Sequence, residues 1–332
     1  MQDWNSTHRE IEKYYASEDE LWSLANYFFS DSCKKTSTYK YGFFKSIMDS
    51  LFSGEQTNKG YELSFWTLFS RFSENYWNLV TKYHLKQMRY NGSADVSSLE
   101  RIFDAAVSKS GIIGELEFSS LSEQDRNRII VEIIKKCKKN VVGALYGNFE
   151  GVLYGFDLKE NRIWLNPVAY EFLLKHKFEL DKLNYYSWAK YLEKINSDNV
   201  LVRVLDKLDD ATPKRNDLSI YRRILRDEFE QNKCFYCGKV LSESADVDHI
   251  IPWKLVREDR IWNFVLSCKS CNSKKNDRIP EKGFIIRVID RNEELMADSN
   301  NLIIDEMKGY SAELLMRLWN YAKIGGYKEY SV

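Results

Sequence analysis

Two short cysteine pairs have the spacing of metal ligands. The pairs are Cys234 with Cys237 and Cys268 with Cys271, each with two residues between its thiols. This spacing brings two thiolates to adjacent corners of a tetrahedron, and two such pairs complete a four-sulfur zinc site. Because a four-sulfur site leaves no open position, we expect a structural zinc ion that supplies folding free energy to its segment. A redox dithiol or an accidental pairing of cysteines is the alternative interpretation.

A carboxylate, an imidazole and an amide lie in or next to the same segment. Asp248 and His249 fall between the cysteine pairs, and Asn272 directly follows the last cysteine. Hard oxygen donors suit Mg²⁺ or Mn²⁺, and an imidazole that titrates near neutral pH can accept a proton. This set of groups predicts metal-dependent phosphodiester hydrolysis. A surface turn at Asp248–His249, or a helix cap at Asn272, would be a purely structural alternative.

The order of these residues, with Trp262 and Asn263 in the middle, resembles the HNH endonucleases. The resemblance covers about Lys233 to Pro280, and no family is recognised for residues 1–210. It implies a ββα-metal motif built on a treble-clef zinc fold. The treble clef would place the Asp-His dipeptide at the end of a hairpin strand and Asn272 on the following helix.

The resemblance also assigns roles to individual residues. Asp248 and Asn272 would bind one catalytic cation, His249 would be the general base, and Asn263 would brace the loop that aims His249. The implied products carry a 5′-phosphate and a 3′-hydroxyl. Asn272 stands where many relatives have the last histidine, and because its amide oxygen is a hard ligand, Mg²⁺ or Mn²⁺ is expected rather than nickel or zinc.

Charge gives only mild support for a nucleic-acid partner. The whole chain has zero net charge, so any basic surface must be local. From Gln231 to Pro280 there are nine Lys and Arg residues against six Asp and Glu residues. The expected phosphate contacts, on or beside the motif helix, are Lys269, Lys274, Lys275 and Arg278. A solvated helix face is the alternative for each of them.

Cysteine usage and hydropathy indicate a reducing cytoplasmic protein. Four of the six cysteines are in the paired pattern, and Cys33 and Cys137 are expected to be ordinary free thiols. In a reducing compartment, paired cysteines usually hold metal and seldom form disulfides. Neither an N-terminal targeting pattern nor an apolar run of the roughly 20 residues that span a bilayer is evident, so no membrane partner is expected.

The first two hundred residues favour helices. Apolar residues recur every three or four positions at 44–51 and at 65–83, which predicts helices that pack on one another, with an aromatic-lined ligand groove as the alternative. Between Val141 and Leu165, four glycines alternate with aromatic residues, which predicts a small hairpin or meander. A helical domain with one hairpin would also fit a winged-helix-like DNA-binding element.

The predicted fold class is α+β, with three parts. Residues 1–210 form a mainly helical domain of unknown recognition or sensor role, 217–290 form the nuclease module, and 291–332 form a helical extension. A helix is expected over about 217–230. After Pro280, the run Phe284–Ile289 predicts a strand, and the extension predicts a closing helix.

These observations lead to two functional hypotheses. The first is a cytoplasmic, metal-dependent HNH endonuclease acting on nucleic acid, with DNA favoured over RNA, and with a restriction or antiphage role suggested by the fused helical domain. Its partners would be nucleic acid, a protein or activator bound by the N-terminal domain, and a second copy for double-strand breaks. The second hypothesis is a treble-clef zinc module that binds DNA or a protein without cutting.

Overall fold

The computed structural model describes residues 6–89, 96–110, 117–197, 203–210, 217–297 and 304–331. The chain divides into two compact units. Unit 1 is Met1–Leu173 with Glu179–Pro213, and unit 2 is Leu174–Phe178 with Lys214–Val332. The prediction of an α+β chain with a helical N-terminal region is confirmed. Among the described helices, none is both long enough and apolar enough to cross a bilayer.

Unit 1 is built from helices packed beside a five-stranded antiparallel sheet of order β1-β4-β5-β3-β2. Its strands are β1 His8–Arg9, β2 Glu55–Thr57, β3 Gly60–Ser64, β4 Tyr154–Asp157 and β5 Arg162–Leu165. Its helices are α1 Glu18–Phe29, α2 Tyr39–Asp49, α3 Phe65–Thr81, α4 Ser98–Ser110, α5 Glu123–Asn148, α6 Pro167–Lys175, α7 Lys177–Ile195 and α8 Val204–Asp210. The last residues of α6 and the first two of α7 belong to unit 2.

The apolar stripes of unit 1 form its core, because α2, α3 and α5 bury them against one another. Phe44, Ile47, Phe69 and Phe72 are fully buried, and the rings of Phe69 and Phe72 lie 5.5 Å apart. Burial of this apolar surface, at roughly 25 cal/mol per Å², is the main stabilising contribution.

The predicted hairpin is shorter than expected. Only β4 and β5 are strands, and their partners in the sheet are β1 and β3. Gly143 and Gly147 lie instead in the last turns of α5, where Leu145 and Tyr146 between them are buried. Two glycines in a helix cost about 1 kcal/mol each, and the packing of the apolar residues between them offsets that cost.

Unit 2 holds the cysteine segment. Its strands are β6 Asp246–His249, β7 Phe264–Ser267, β8 Ile279–Pro280 and β9 Glu329–Tyr330. Its helices are α9 Ser219–Asp227, α10 Trp253–Val256, α11 Lys269–Lys275, α12 Lys282–Ala297 and α13 Ala312–Ile324, with 3₁₀ turns at Ile261–Asn263 and Ile304–Met307. Strands β6 and β7 pair antiparallel, with His249 opposite Phe264, and α11 follows β7 directly.

The strand predicted over Phe284–Ile289 is wrong, because this run lies inside helix α12. Ile285, Val288 and Asn292 are its buried residues, and their spacing is helical. A short apolar run cannot be assigned by periodicity alone, and here packing decided. The predicted boundary between 290 and 291 falls within α12, and the closing helix is α13, which buries Leu315 and Trp319.

Candidate functional site

The four paired cysteines meet in unit 2. The Sγ atoms of Cys234, Cys237, Cys268 and Cys271 all lie within 4.8 Å of one another, and those of Cys237 and Cys268 are 3.9 Å apart. Tetrahedral Zn–S bonds of about 2.3 Å place sulfur atoms about 3.8 Å apart. The donor set therefore fits a zinc ion by chemistry and by spacing. Within the described residues, no other group of three or more Cys, His, Asp or Glu side chains is gathered in this way.

Local backbone structure brings each pair to the cluster. Gly238 follows the first pair with φ +73°, and its N–H donates to the carbonyl of Cys234 at 2.9 Å, which closes a tight turn. In the second pair, Cys268 caps α11 and Cys271 lies in its first turn. A hydrogen bond from the Cys271 backbone N–H lowers the pKa of Cys268 to about 7, whereas burial raises the pKa of Cys271 to about 12. A bound cation would convert both thiols to thiolates.

Asp248 is buried and already has a cationic partner. Its carboxylate accepts hydrogen bonds from the Tyr236 hydroxyl at 2.5 Å and from Lys275 Nζ at 3.2 Å. Lys275 Nζ also donates to the His249 carbonyl at 2.6 Å. Lys275 is fully buried, so it differs from the expected exposed phosphate contact. It ties the end of β6 to the end of α11.

His249 is paired with a carboxylate that the motif did not indicate. Its Nε2 lies 3.1 Å from Asp259 Oδ1, and both side chains are only 5% exposed. The imidazole also packs edge-on against the Phe264 ring, with the ring centroids 4.5 Å apart. Asp259 lies in the loop after α10, ten residues from His249, and no regular spacing in that loop could have identified it.

Asn263 is engaged with the backbone of the loop that follows His249. Its Oδ1 accepts from the Ile251 N–H at 2.8 Å and its Nδ2 donates to the Ile251 carbonyl at 2.9 Å. Its own carbonyl accepts from the Ile250 N–H at 2.8 Å. Since Asn263 is fully buried, its amide holds this loop and does not face solvent.

Asn272 contacts a different carboxylate from the one expected. Its Nδ2 donates to Asp246 Oδ2 at 3.1 Å. Asp246 and Asp248 are two positions apart on β6, so their side chains share one face of the strand, the face covered by α11. Two carboxylates and one amide are therefore close to α11 on this face. This is a hard-oxygen donor set that fits Mg²⁺ or Mn²⁺ in kind.

The side chains of Asp248, His249 and Asn272 contact different partners, namely Lys275, Asp259 and Asp246. Consecutive strand residues point to opposite faces, and His249 lies beside Phe264 while Asp248 lies beneath α11. The contacts described for the three side chains are with other groups, and their convergence around one cation stays a prediction. Both residues lie at the end of β6, where the 250–252 loop begins.

The remaining expected phosphate contacts are on the surface. Lys269, Lys274 and Arg278 are exposed on or just after α11. Beside them, Lys254 forms an ion pair with Asp277 at 3.0 Å. These exposed cations lie within one short segment, residues 269–278, and their contact with phosphates stays a prediction.

The elements and side chains of this segment together indicate the family of proteins to which it is similar. A sulfur cluster that fits zinc joins a turn, an antiparallel ββ ribbon and a short helix, and an Asp-His dipeptide ends the first strand of the ribbon. Residues 234–278 match the family model described as HNH endonuclease, which confirms the resemblance and supports a nuclease-family function. No curated protein and no solved structure matched the chain.

Proposed function

We propose that this chain is a metal-dependent HNH endonuclease that hydrolyses phosphodiester bonds of nucleic acid, with DNA as the favoured substrate. One observation carries the proposal: the family match spans both cysteine pairs and the Asp248–His249 dipeptide, in a segment whose ββα order suits that family. The DNA preference rests on the resemblance alone.

In this proposal His249 accepts the proton of the attacking water. Asp259 Oδ1 lies 3.1 Å from Nε2 and holds the ring in this orientation. A buried carboxylate next to the ring favours the imidazolium that results, and it fixes the ring's orientation. Asp259 is therefore a positioning residue that acts through His249. Asn263 positions the same ring by holding the backbone of the adjacent loop.

The oxygen atoms of Asp248 and Asn272 would hold the catalytic cation. When bound, Mg²⁺ or Mn²⁺ would stabilise negative charge on the phosphoryl group and on the departing 3′ oxygen. A cation at Asp248 would have to compete with Lys275, because the Lys275 ammonium already forms an ion pair with the Asp248 carboxylate. Asp246, which bonds to Asn272, is the second carboxylate on this face of β6 and could share the ligand role.

The exposed cations would contact the nucleic-acid backbone. Lys269, Lys274 and Arg278 can each neutralise one phosphate, so binding should weaken with rising salt. Three phosphate contacts correspond to a slope of log affinity against log salt of about −2 to −3. Lys275 is not part of this group.

One observation favours the non-catalytic alternative. Asp248 and His249 are both nearly inaccessible, and each is satisfied by a partner inside the fold. The same contacts are expected of a zinc module in which Asp248 and His249 stabilise the fold and do not catalyse a reaction. Such a module would bind DNA or a protein through its exposed cations and would leave phosphodiester bonds intact.

The biological setting that we propose is a restriction or antiphage effector in a reducing cytoplasm. Free thiolates that bind zinc suit that compartment. The helical unit 1 would bind a protein partner or an activator. Because one site of this type cuts one strand, a double-strand break would require a homodimer or two successive events.

Nicking of supercoiled plasmid DNA in Mg²⁺ or Mn²⁺ tests the proposal. We expect nicking by the intact chain and a loss of at least about 100-fold for His249→Ala, the lower end of a general base's contribution. His84→Ala, an exposed histidine of unit 1, is the matched control. One zinc ion per chain in each variant shows that unit 2 has folded.

The outcomes separate the two hypotheses. Nicking that survives in His249→Ala would assign the activity to a contaminant. DNA binding without nicking, for the intact zinc-loaded chain with both cations, would support the non-catalytic module. Cleavage of RNA in preference to plasmid would support phosphodiester hydrolysis and contradict DNA as the favoured substrate.

A further inference from the structure

A cationic cavity lies in unit 1, far along the chain from the cysteine segment. It has a volume of about 370 Å³ and is formed by the loop that follows α1, by Arg89 and by the C-terminal half of α7. That volume is within the range of about 300–1,000 Å³ typical of small-molecule sites. All of the residues that line it belong to unit 1.

The charge of the lining is strongly one-sided. Five of its residues are basic, namely Lys34, Lys35, Arg89, Lys190 and Lys194, and one is acidic, namely Asp31. Asp31 is shared by two of them, with Lys190 Nζ at 2.7 Å and Lys194 Nζ at 3.2 Å. The whole chain is neutral, so this excess is a local feature. A concave surface with charge of one sign concentrates its field and attracts anions.

One lysine is held in place within the cavity wall. Lys35 Nζ donates to the carbonyls of Phe28 and Cys33, at 2.5 and 3.3 Å, and lies 5.1 Å from the centroid of the Tyr41 ring. Its burial lowers the pKa of the ammonium group. Lys35 is therefore held by the wall itself, and the other four basic side chains of the lining are left to contact an anion.

Three aromatic residues also line the cavity. Phe29 and Tyr191 are half-buried, and both line the cavity with Tyr41. The hydroxyl of Tyr191 is buried and makes no hydrogen bond to any residue that the structure describes. A buried hydroxyl without a partner costs about 1–3 kcal/mol, and a ligand oxygen would satisfy it. Half-exposed rings offer a surface on which a nucleobase can stack.

We propose that this cavity binds a free phosphorylated nucleotide. Lys34, Arg89, Lys190 and Lys194 contact the phosphates, and the rings of Phe29 and Tyr191 contact the base. A cavity of this size holds one nucleotide, and it is too small for a duplex or for a peptide helix. The site is separate from the sulfur cluster, so the proposal does not depend on the nuclease activity.

Calorimetric titration of the full-length, zinc-loaded chain with ATP, without added divalent cation, tests the proposal. Lys34→Glu and Arg89→Glu are the test variants, because both side chains are exposed and neither substitution disturbs the core. Lys139→Glu, an exposed lysine on α5, is the matched control for net charge. Thermal unfolding midpoints show that all three variants are folded.

We expect ATP binding that weakens at least about tenfold in each test variant, equivalent to 1.4 kcal/mol, and that is unchanged in Lys139→Glu. Adenosine and tripolyphosphate should each bind at least tenfold more weakly than ATP, since each lacks one half of the contacts.

Equal affinity for ATP in the test variants and the unaltered chain, or equal affinity for adenosine and ATP, would overturn the site. Equal affinity for tripolyphosphate would reduce it to a plain anion site, and tighter binding of a ten-nucleotide oligo-dT lost in the same variants would identify a nucleic-acid strand as the ligand instead.

Discussion

Replacing Lys275 with methionine should destabilise unit 2 severely. Lys275 Nζ lies 3.1–3.2 Å from the two carboxylate oxygens of Asp248 and 2.6 Å from the His249 carbonyl. Methionine keeps most of the volume of the lysine stem but removes the ammonium group. The variant leaves a buried carboxylate with the Tyr236 hydroxyl as its remaining hydrogen-bond donor among those that the structure describes.

The size of the effect follows from this geometry. Two unit charges 3.1 Å apart attract each other by about 5 kcal/mol at an effective dielectric constant of 20. Removing one partner of a buried pair costs about 3–5 kcal/mol in measured cases. We therefore expect Lys275→Met to lower the free energy of unfolding of unit 2 by about 3–5 kcal/mol.

Urea denaturation of the full-length, zinc-loaded chain measures the change. The matched control is Lys274→Met, which changes the exposed neighbour on the same helix and should alter the free energy of unfolding by less than about 0.5 kcal/mol. A Lys275→Met chain as stable as the control would refute the buried ion pair. The roles assigned to the end of β6 would then lose their structural basis.

The Lys275→Met variant also tests whether Asp248 binds the catalytic cation. If Asp248 binds the catalytic cation, the ammonium of Lys275 competes for its oxygens, and removing it should tighten Mn²⁺ binding at least about tenfold, or 1.4 kcal/mol. Isothermal titration with Mn²⁺, at a temperature where the variant is folded, measures this affinity directly. Unchanged Mn²⁺ affinity would exclude Asp248 as the ligand and direct attention to Asp246.

Four further outcomes are expected. Asp259→Asn should lower turnover on DNA about 10²–10⁴-fold through His249, with little change in KM or zinc content, whereas loss of zinc would indicate misfolding. Asn263→Ala leaves the buried N–H and C=O groups of Ile251 without their side-chain partners. We expect it to lower the free energy of unfolding, measured by urea denaturation, by about 1–3 kcal/mol for each group. Cys268→Ser should abolish the single bound zinc in metal analysis and, with it, the cooperative thermal transition of unit 2. Burial raises the pKa of Cys137 to about 12, so at pH 8 this group stays a thiol and should react with dithionitrobenzoate only after unfolding.

The cysteine cluster could be predicted from the sequence because the information that specifies it is local. Two Cys-x-x-Cys pairs specify ligand type, number and spacing, and the four sulfur atoms do converge. The helical core of unit 1 was predictable for a similar reason. The apolar residues of α2 and α3 recur at the helical period, so each stripe can be buried only against another element.

The elements that the sequence misassigned were decided by packing. Phe284–Ile289 has strong β-branched character, yet this run became part of α12 because Ile285 and Val288 fit a helical burial pattern. Gly143 and Gly147 stayed in α5 because the helix buries the apolar residues between them. Local preferences of about 1 kcal/mol were outweighed in both cases by burial across many contacts.

The sequence alone determined which groups are present at the candidate site, and the tertiary structure decided which of them interact. Motif order puts Asp248, His249 and Asn272 in one segment, but strand alternation turns the first two to opposite faces of β6. Helix α11 then pairs Asn272 with Asp246 and Lys275 with Asp248. The partner of His249 comes from a loop ten residues away. Such pairings depend on how a strand, a helix and a loop are brought together in space, which no spacing along the chain encodes.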